Sequence, residues 1–523
     1  MANTAKETRS SASAATGPVP ATNEGTHKSK GDAASTLRDL VIAAVILGAL
    51  FGVYYRHVAT QRKAHALAKS AQAAMGKDTT KGYLEAEALL DQALKVDSNY
   101  REALAFQALT ETILWSESGL EDRRAKAEAL IEKITAKDVP LAERFAAVGR
   151  FDAATGKAAT GETQLVGTLK ESGNVAAVVD ALAHCERALG KLAEAKVYLK
   201  KAADADWRSP RYAADQATAM LEGGDLATAA LLFDKALSAN GDHLRSLVGR
   251  ALSDIPRGER LDQSGKALED VLSRPAGDLG APLKARALAA RAMLKAARGI
   301  VWATDADAAI AAAPNTALAH LVKGILQARD HQAAGDAEIH KSIELDAFLP
   351  TAYFEGAQAL MDGGFADKSL ALMKEAAQHL KDSARYHLAY GQLMAKSGDD
   401  AGAIKELDKA LTMDGSNADA LFAKGQVLQS KKDLKGAATF YEKAITARDM
   451  FPDAYRQMGN LYLETKDVKG ALDMYKEALV RYKTQKLPAD RLEAFFTDLQ
   501  ARVARAGQAK LASQFVDEAR KLK

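Results

Sequence analysis

The sequence predicts an all-α protein built as a solenoid, in which pairs of antiparallel helices stack along the chain. Three observations predict this architecture. Small and aromatic residues recur every 34 residues towards the end of the chain, and apolar residues at helical spacing flank a short polar turn in each repeat. A polar amino-terminal segment is followed by a run of apolar residues. We therefore expect a tail, one membrane-spanning helix and a long helical array.

The composition limits the classes of function. The chain has 523 residues, of which 71 are basic and 68 acidic, so its net charge is only +3. Because no single-sign field is available to attract a polyanion, no nucleic-acid partner is expected. The one cysteine, Cys185, excludes an intramolecular disulfide and any multi-cysteine zinc site.

The amino-terminal region predicts a disordered tail followed by a membrane anchor. Residues 1–36 carry almost no large apolar side chain, so they cannot form a core. The uncharged run over 40–55 reads LVIAAVILGALFGVYY, and as a helix it would be about 24 Å long, against roughly 30 Å of hydrocarbon. Adding the flanking residues, with Arg38 and Arg56 reaching outward, predicts a single transmembrane helix over 37–58.

Two other interpretations of the apolar run are less consistent with its context. A cleaved signal peptide would have its apolar region nearer the terminus and a small-residue cleavage site directly after it, whereas YYRHVATQRK follows here. A buried helix of a soluble domain would need neighbours, and the polar tail offers none. Three basic residues on the tail side against four on the far side leave both membrane topologies open.

Small residues line one face of the predicted transmembrane helix. Ala44, Gly48 and Gly52 follow one another at four-residue spacing, which would let two such helices approach closely and form a homodimer. The alternative is that they are ordinary small residues of an apolar helix.

The 34-residue period is clearest over residues 387–479. Glycines, aspartates and alanines each recur at this interval: Gly391, Gly425 and Gly459; Asp399, Asp433 and Asp467; Ala403, Ala437 and Ala471; Ala410, Ala444 and Ala478. Small residues at fixed places suit helices whose axes cross at the usual 8 to 10 Å. We predict that Gly459 and Ala471 lie at such a crossing.

The best-formed repeat reads YRQMGNLYLETKDVKGALDMYKEAL and resembles the tetratricopeptide repeat (TPR) family. Its signature places hold Tyr455, Met458, Gly459, Tyr462, Ala471, Tyr475 and Ala478. Lys483 replaces the family's closing proline, although Pro452 closes the repeat before. The resemblance predicts about 11 or 12 repeats over 59–482, followed by capping helices over 483–523. It implies a right-handed superhelix whose first helices line a concave groove that holds peptides or partner helices.

The resemblance also indicates where a ligand would lie. The family's groove is lined by positions that include the residue after the signature glycine, and here these are Gln392, Gln426 and Asn460. A ladder of amides can both donate to and accept from the backbone of an extended chain. The same projection adds charged, aromatic and amide residues to the predicted groove: Arg385, Lys396, Phe422, Gln429, Arg456 and Gln457. The alternative is that these amides only solvate the helix surface.

No motif for catalysis or for a cofactor is found, so the chain is not expected to be an enzyme or to bind a cofactor or a metal. His184 and Cys185 are adjacent, and neighbours on a helix point about 100° apart, which suits no nucleophile and base pair. An enzyme would need an unrecognised site in the irregular segments 135–173 and 253–282.

The leading hypothesis is a membrane-anchored scaffold that binds proteins or peptides. It would lie in the bacterial inner membrane, with its repeats in the periplasm, as part of an envelope complex for secretion, motility or cell-wall assembly. The alternative is a client-binding receptor or chaperone-like adaptor with a cytosolic repeat domain.

Overall fold

The computed structural model describes residues 32–137, 139–484 and 489–521. Within these ranges the chain forms 27 α-helices, one 3₁₀-helix over Glu121–Arg123 and no β-strand. It divides into two compact units, Met1–Arg62 and Lys63–Lys523. The predicted all-α solenoid of paired helices is confirmed.

The helices follow one another with short connections. In chain order they are α1 Asp32–Met75, α2 Thr80–Val96, α3 Arg101–Ser116, α4 Arg124–Ala136, α5 Ala142–Ala154, α6 Ala158–Ser172, α7 Ala176–Ala188, α8 Leu192–Ala205, α9 Pro210–Glu222, α10 Leu226–Ala239, α11 Leu244–Asp254, α12 Leu261–Ser273, α13 Ala276–Leu279, α14 Ala281–Ala297, α15 Ala303–Ala312, α16 Ala317–Arg329, α17 Gly335–Leu345, α18 Pro350–Asp362, α19 Ala366–Leu380, α20 Ala384–Lys396, α21 Asp400–Met413, α22 Ala418–Ser430, α23 Leu434–Ala447, α24 Pro452–Glu464, α25 Val468–Thr484, α26 Ala489–Arg505 and α27 Ala509–Lys521.

The first unit contains the apolar part of α1. The stretch Leu37–Met75 is long and apolar enough to cross a membrane, with a mean hydropathy of 1.9, and none of its most apolar window is buried. Apart from the adjacent residues and the backbone of the same helix, no described residue has an atom within 4 Å of where a side chain would begin at Gly48 or Gly52. Of the predicted tail over 1–36, residues 1–31 lie outside the described residues.

The second unit is a row of helical hairpins. Eleven of them run from α3–α4 to α24–α25, with the short α13 inserted between two of them, and α26–α27 forms a further pair at the end. The last part of α1 packs against α2 through small residues such as Ala68, Ala71, Ala86 and Ala93. The hairpin count agrees with the 11 or 12 repeats that the period predicts.

The recurring aspartates begin the second helix of their hairpins. The side chain of each accepts a hydrogen bond of 2.9 Å from the backbone N–H of the glycine three residues later, at Asp399, Asp433 and Asp467. This is the N-cap arrangement, in which a side-chain oxygen satisfies an otherwise unpaired amide of the first turn. The 34-residue spacing of the aspartates therefore marks the same turn in successive hairpins.

The recurring glycines lie where the two helices of a hairpin cross. A Cβ atom at Gly425 would lie 2.6 Å from the ring of Tyr441. At Gly459 it would lie 2.7 Å from the ring of Tyr475 and 3.1 Å from the carbonyl oxygen of Ala471. Since real Cβ atoms keep larger distances from their neighbours than these, only glycine lets the aromatic ring of the second helix fill the crossing. Gly459 and Ala471 therefore lie at a helix crossing, as predicted.

Hairpins that are far apart in sequence contact one another within the second unit. Arg187 of α7 donates a hydrogen bond of 2.5 Å to Asp346, which is 159 residues further along the chain. Lys81 of α2 lies 3.8 Å from Asp278 of α13. The irregular segment 253–282 is largely helical, and its short helix α13 packs against α2 near the start of this unit.

Candidate partner-binding surfaces

Of the three amides that are predicted to form a ladder, Gln392 and Gln426 are exposed. Asn460 is buried, its amide nitrogen donates to Oε1 of Gln457 at 2.8 Å, and its oxygen accepts from the hydroxyl of Tyr475 at 2.7 Å. Asn460 therefore supports its own hairpin, and only the two glutamines present free amides to solvent.

Two further predicted groove residues, Gln429 and Phe422, take part in internal contacts. Gln429 accepts a hydrogen bond of 2.7 Å from the hydroxyl of Tyr441 and donates one of 2.6 Å to Glu464. The ring of Phe422 lies 4.9 Å from that of Phe451 and 5.7 Å from that of Tyr441. Both side chains thus help to fix the spacing of neighbouring helices.

The three predicted basic groove residues have different surroundings. Lys396 is exposed and lies 3.3 Å from Asp362, and Arg456 lies 3.2 Å from Asp453 on its own helix. Arg385 instead stacks 4.7 Å from the centre of the Phe354 ring and against Gly224, and burial lowers its pKa. The exposed part of the predicted groove is therefore centred on Gln392, Lys396 and Gln426.

A buried ionic network, which the sequence did not reveal, joins the first helices of the early hairpins. Arg211 and Arg245 donate to Asp78 at 2.5 and 2.9 Å, and Arg150 donates to both Glu117 and Asp180. Its members are Asp78, Glu117, Arg150, Asp180, Arg211, Asp215 and Arg245. One signal was available, because Arg211 and Arg245 lie one 34-residue period apart.

The arginines keep the carboxylates of Asp78 and Glu117 ionised. Burial by itself would raise the pKa of Asp78, but the charges of Arg211 and Arg245 and a hydrogen bond with His243 hold it well below its usual value. At Glu117, too, burial acts to raise the pKa and the charges of nearby arginines act to lower it. The arginines have the larger effect, so the pKa of Glu117 is lowered. Since Asp78 precedes α2 whereas Arg211 and His243 lie near α9 and α11, the network ties together hairpins distant in sequence.

One corner of this network has the residue types of a metal site. The facing side-chain atoms of Asp180, His184 and Asp215 all lie within 4.8 Å of one another, and none of these facing atoms has a hydrogen-bond partner among the described residues. However, Arg150 donates to Asp180 and lies 4.0 Å from Asp215. A divalent cation would be repelled by this guanidinium, so the residues fit a metal poorly.

Cys185 has the surroundings of a structural thiol. It is fully buried, its Sγ donates to the carbonyl oxygen of Gly149 at 3.3 Å, and burial raises its pKa to about 12. A thiol that stays protonated is a poor nucleophile and a poor metal ligand.

Helices of the second unit form a cavity of about 1600 Å³ that is partly open to solvent. Its walls come from helices between α3 and α18 and from Arg491 of α26, and they combine leucine, isoleucine and methionine side chains with several arginines. No local motif marks this cavity, because its lining residues are brought together only by contacts between distant hairpins.

Comparison with known proteins supports the repeat assignment. The family described as tetratricopeptide repeat matches residues 418–449, which include the hairpin α22–α23. No curated protein has a sequence that matches the chain.

The solved structures that the chain matches are distant in sequence. Cut9 in the APC/C hetero-tetramer Cut9-Hcn1 is 15% identical, with 87% of this chain and 96% of that chain covered and a TM-score of 0.40. Yeast Tom70 has the same identity, coverage and TM-score. MamA is 22% identical over 29% of this chain and 89% of its own, with a TM-score of 0.26. Residues 418–449 thus match a tetratricopeptide repeat, and the hairpins beside them share its period, caps and crossings.

Proposed function

We propose that the protein is a non-enzymatic scaffold, anchored in a membrane by α1, which holds partner proteins or peptides on its repeat array. The observation that carries the proposal is the combination, in one chain, of an unburied apolar helix and a long row of tetratricopeptide hairpins. Such hairpins present extended surfaces that suit protein binding, and the anchor would confine the bound partner to a membrane surface.

The anchor is supported by the surroundings of its side chains. The large apolar residues between Leu37 and Tyr55 are about half to two thirds exposed, including Val45 and Phe51. A continuous apolar surface of this length is unfavourable in water and is typical of a segment that contacts lipid. A bilayer would cover this exposed apolar surface.

The partner-binding surface that we propose is the exposed part of the predicted groove. Gln392 and Gln426 occupy equivalent positions one period apart, and Lys396 lies one helical turn beyond Gln392. Amides that have both donors and acceptors free can bind the backbone of an extended segment, since they match peptide groups of either orientation.

For the cellular setting we propose the bacterial inner membrane, with the repeats in the periplasm and in the service of an envelope complex. This placement is based on the apolar helix that we propose as an uncleaved anchor, on the long array and on the lack of a recognisable catalytic motif in the sequence. A cytosolic adaptor is the competing arrangement, and topology separates the two.

The test is a pair of fusions after Lys523. One is to alkaline phosphatase, which is active only in the periplasm, and the other is to green fluorescent protein, which fluoresces in the cytoplasm but not after export through the general secretion pathway. Phosphatase activity without fluorescence is expected. Fluorescence without phosphatase activity would overturn the periplasmic placement.

Partner binding is tested with a photo-crosslinking amino acid at Gln426. The matched control carries the same amino acid at Lys435, which is exposed on the second helix of the same hairpin. Adducts from Gln426 but not from Lys435 are expected, and equal labelling of both would contradict a specific groove.

A further inference from the structure

The cavity is too large for most small ligands. Its volume of about 1600 Å³ exceeds the roughly 300–1,000 Å³ that is usual for pockets of drug-sized molecules. Side chains such as Leu252, Ile255, Met293, Leu318 and Ile325 form its apolar walls. This combination of size and apolar lining suits a peptide segment better than a metabolite.

Most of the acidic side chains that line the cavity already have partners. Glu222 and Asp346 both accept hydrogen bonds from Arg187, at 3.1 and 2.5 Å. Glu121 accepts one of 3.2 Å from the indole nitrogen of Trp115.

A fourth acidic residue, Asp330, accepts a hydrogen bond of 3.0 Å from the indole nitrogen of Trp302. Glu355 is then the one lining carboxylate, among the described residues, without a hydrogen bond or an ion pair. The capacity of the cavity to accept hydrogen bonds is therefore largely used.

Three of the four basic side chains that line the cavity, all except Arg187, show the opposite condition. Arg286, Arg329 and Arg491 line the cavity, and within the described ranges none of them has a carboxylate within 4.0 Å or a hydrogen bond. Arg286 is the most enclosed of the three, and burial lowers the pKa of its guanidinium, although Glu222 nearby acts in the other direction. A guanidinium has five N–H donors, and leaving them unpaired in a partly desolvated place is unfavourable.

We propose that this cavity binds a segment of the partner protein in which an acidic side chain, flanked by apolar residues, pairs with Arg286. The inference rests on the proposed scaffold function and identifies the chemistry of the segment. A carboxylate matches the guanidinium in a two-bond geometry, and the apolar flanks would cover the leucine and isoleucine walls. Arg329 and Arg491, which are more exposed, would add to the attraction for an acidic segment.

The test uses the full chain, purified in detergent, and a phage library of random 12-residue peptides. The most enriched peptide is synthesised with a fluorescein label, together with an analogue in which each Glu or Asp is replaced by Gln or Asn. Binding is measured by fluorescence anisotropy for the wild type, for Arg286→Gln and Arg286→Lys, and for Arg298→Gln. Arg298 is the control because it ends the same helix, pairs with the exposed Asp262 and lies outside the cavity.

The expected result is an enriched motif of one acidic residue among apolar ones. Arg286→Gln and the amide analogue should each weaken binding by about 10- to 100-fold, as for a charge-assisted hydrogen bond. Arg286→Lys should lose less, and Arg298→Gln should bind like the wild type. Thermal unfolding gives a second readout, because a guanidinium without a partner can be removed without loss of stability, so Arg286→Gln should melt no lower than the wild type.

Two results would overturn the cavity site. One is enrichment of peptides without an acidic preference, or equal binding by Arg286→Gln. The other is a clear fall in melting temperature for Arg286→Gln, which would give Arg286 a structural partner. If either occurs while crosslinking at Gln426 still yields adducts, the scaffold function stands and only the cavity site fails. If no peptide binds and Gln426 yields no crosslinks, both the cavity site and the scaffold function are overturned.

Discussion

Replacement of Arg211 by methionine tests whether the ionic network holds distant hairpins together. The guanidinium donates to Asp78 at 2.5 Å and to the hydroxyl of Tyr83 at 2.7 Å, and it also pairs with Glu117. Methionine keeps much of the aliphatic stem of the arginine side chain, but it removes the N–H groups that donate to Asp78, Tyr83 and Glu117. Breaking a buried ion pair by removing one partner costs about 3–5 kcal/mol. Because Asp78 keeps Arg245 at 2.9 Å, we expect a value near the lower limit, about 3 kcal/mol.

The assay is hydrogen exchange of the full chain followed by mass spectrometry, which reports the free energy of opening for each helix. Peptides from α2, α9 and α11 should exchange about 100-fold faster in Arg211→Met, which corresponds to roughly 3 kcal/mol, whereas peptides from α20 to α25 should be unchanged. Arg298→Met is the matched control, since its partner Asp262 is 91% exposed and such surface pairs contribute about 0–1 kcal/mol. Unchanged exchange at α2 in Arg211→Met would refute a role for the network in closing these hairpins.

The contribution of Asp78 to stability depends on pH, and the direction of this dependence follows from its pKa. The pKa of Asp78 is lower in the folded protein than in the unfolded chain, where it is about 3.9. A carboxylate of this kind contributes stability that is fully present above the unfolded pKa and is lost as pH falls through the folded pKa. The difference in the free energy of unfolding between the wild type and Asp78→Asn should therefore stay constant from about pH 7 to pH 5 and decline only in more acidic solution. A decline near pH 6 would point to histidine as the titrating group.

The regular hairpins and the buried thiol give three further predictions. Gly425→Leu forces a side chain into the ring of Tyr441 and should destabilise the hairpins around it by about 1–3 kcal/mol, seen as faster local hydrogen exchange; a single two-state transition with unchanged cooperativity would contradict a linear array. Asp433→Ala removes an N-cap bond of 2.9 Å and should cost about 1 kcal/mol at the start of α23, whereas an unchanged urea midpoint would show that the cap is dispensable. Cys185 should react with iodoacetamide at pH 8 more than about 100-fold more slowly in the native protein than in urea, because it is buried with a pKa of about 12. Comparable rates would show that the thiol is accessible.

The hairpins could be predicted from the sequence because their causes are local and repeated. The caps at Asp399, Asp433 and Asp467 act on residues three positions away, and the crossings at Gly425 and Gly459 involve rings sixteen residues later in the same hairpin. Interactions over such short separations recur with the period of the chain, so they leave a visible pattern.

The candidate groove could be predicted only in part. The position after the signature glycine was identified by register alone, and register does not say which amides are used internally. Tyr475 has a hydroxyl that reaches the amide of Asn460, whereas the residue that meets Gly391 at the equivalent crossing is Leu407, which has none. Gln392 therefore remains free, while Asn460 is held within its hairpin.

By itself, the sequence determined the all-α class, the 34-residue period, the helix starts and crossings, and an apolar segment suited to a membrane. Only the tertiary structure decided that Asp78 meets Arg211 and His243, that Arg187 meets Asp346, and that a large cavity is left with Arg286 unpaired. These features depend on small rotations between neighbouring hairpins that add up along the array. Because a few degrees at each step decide which hairpins meet after 159 residues, no local pattern of residues can specify the contact.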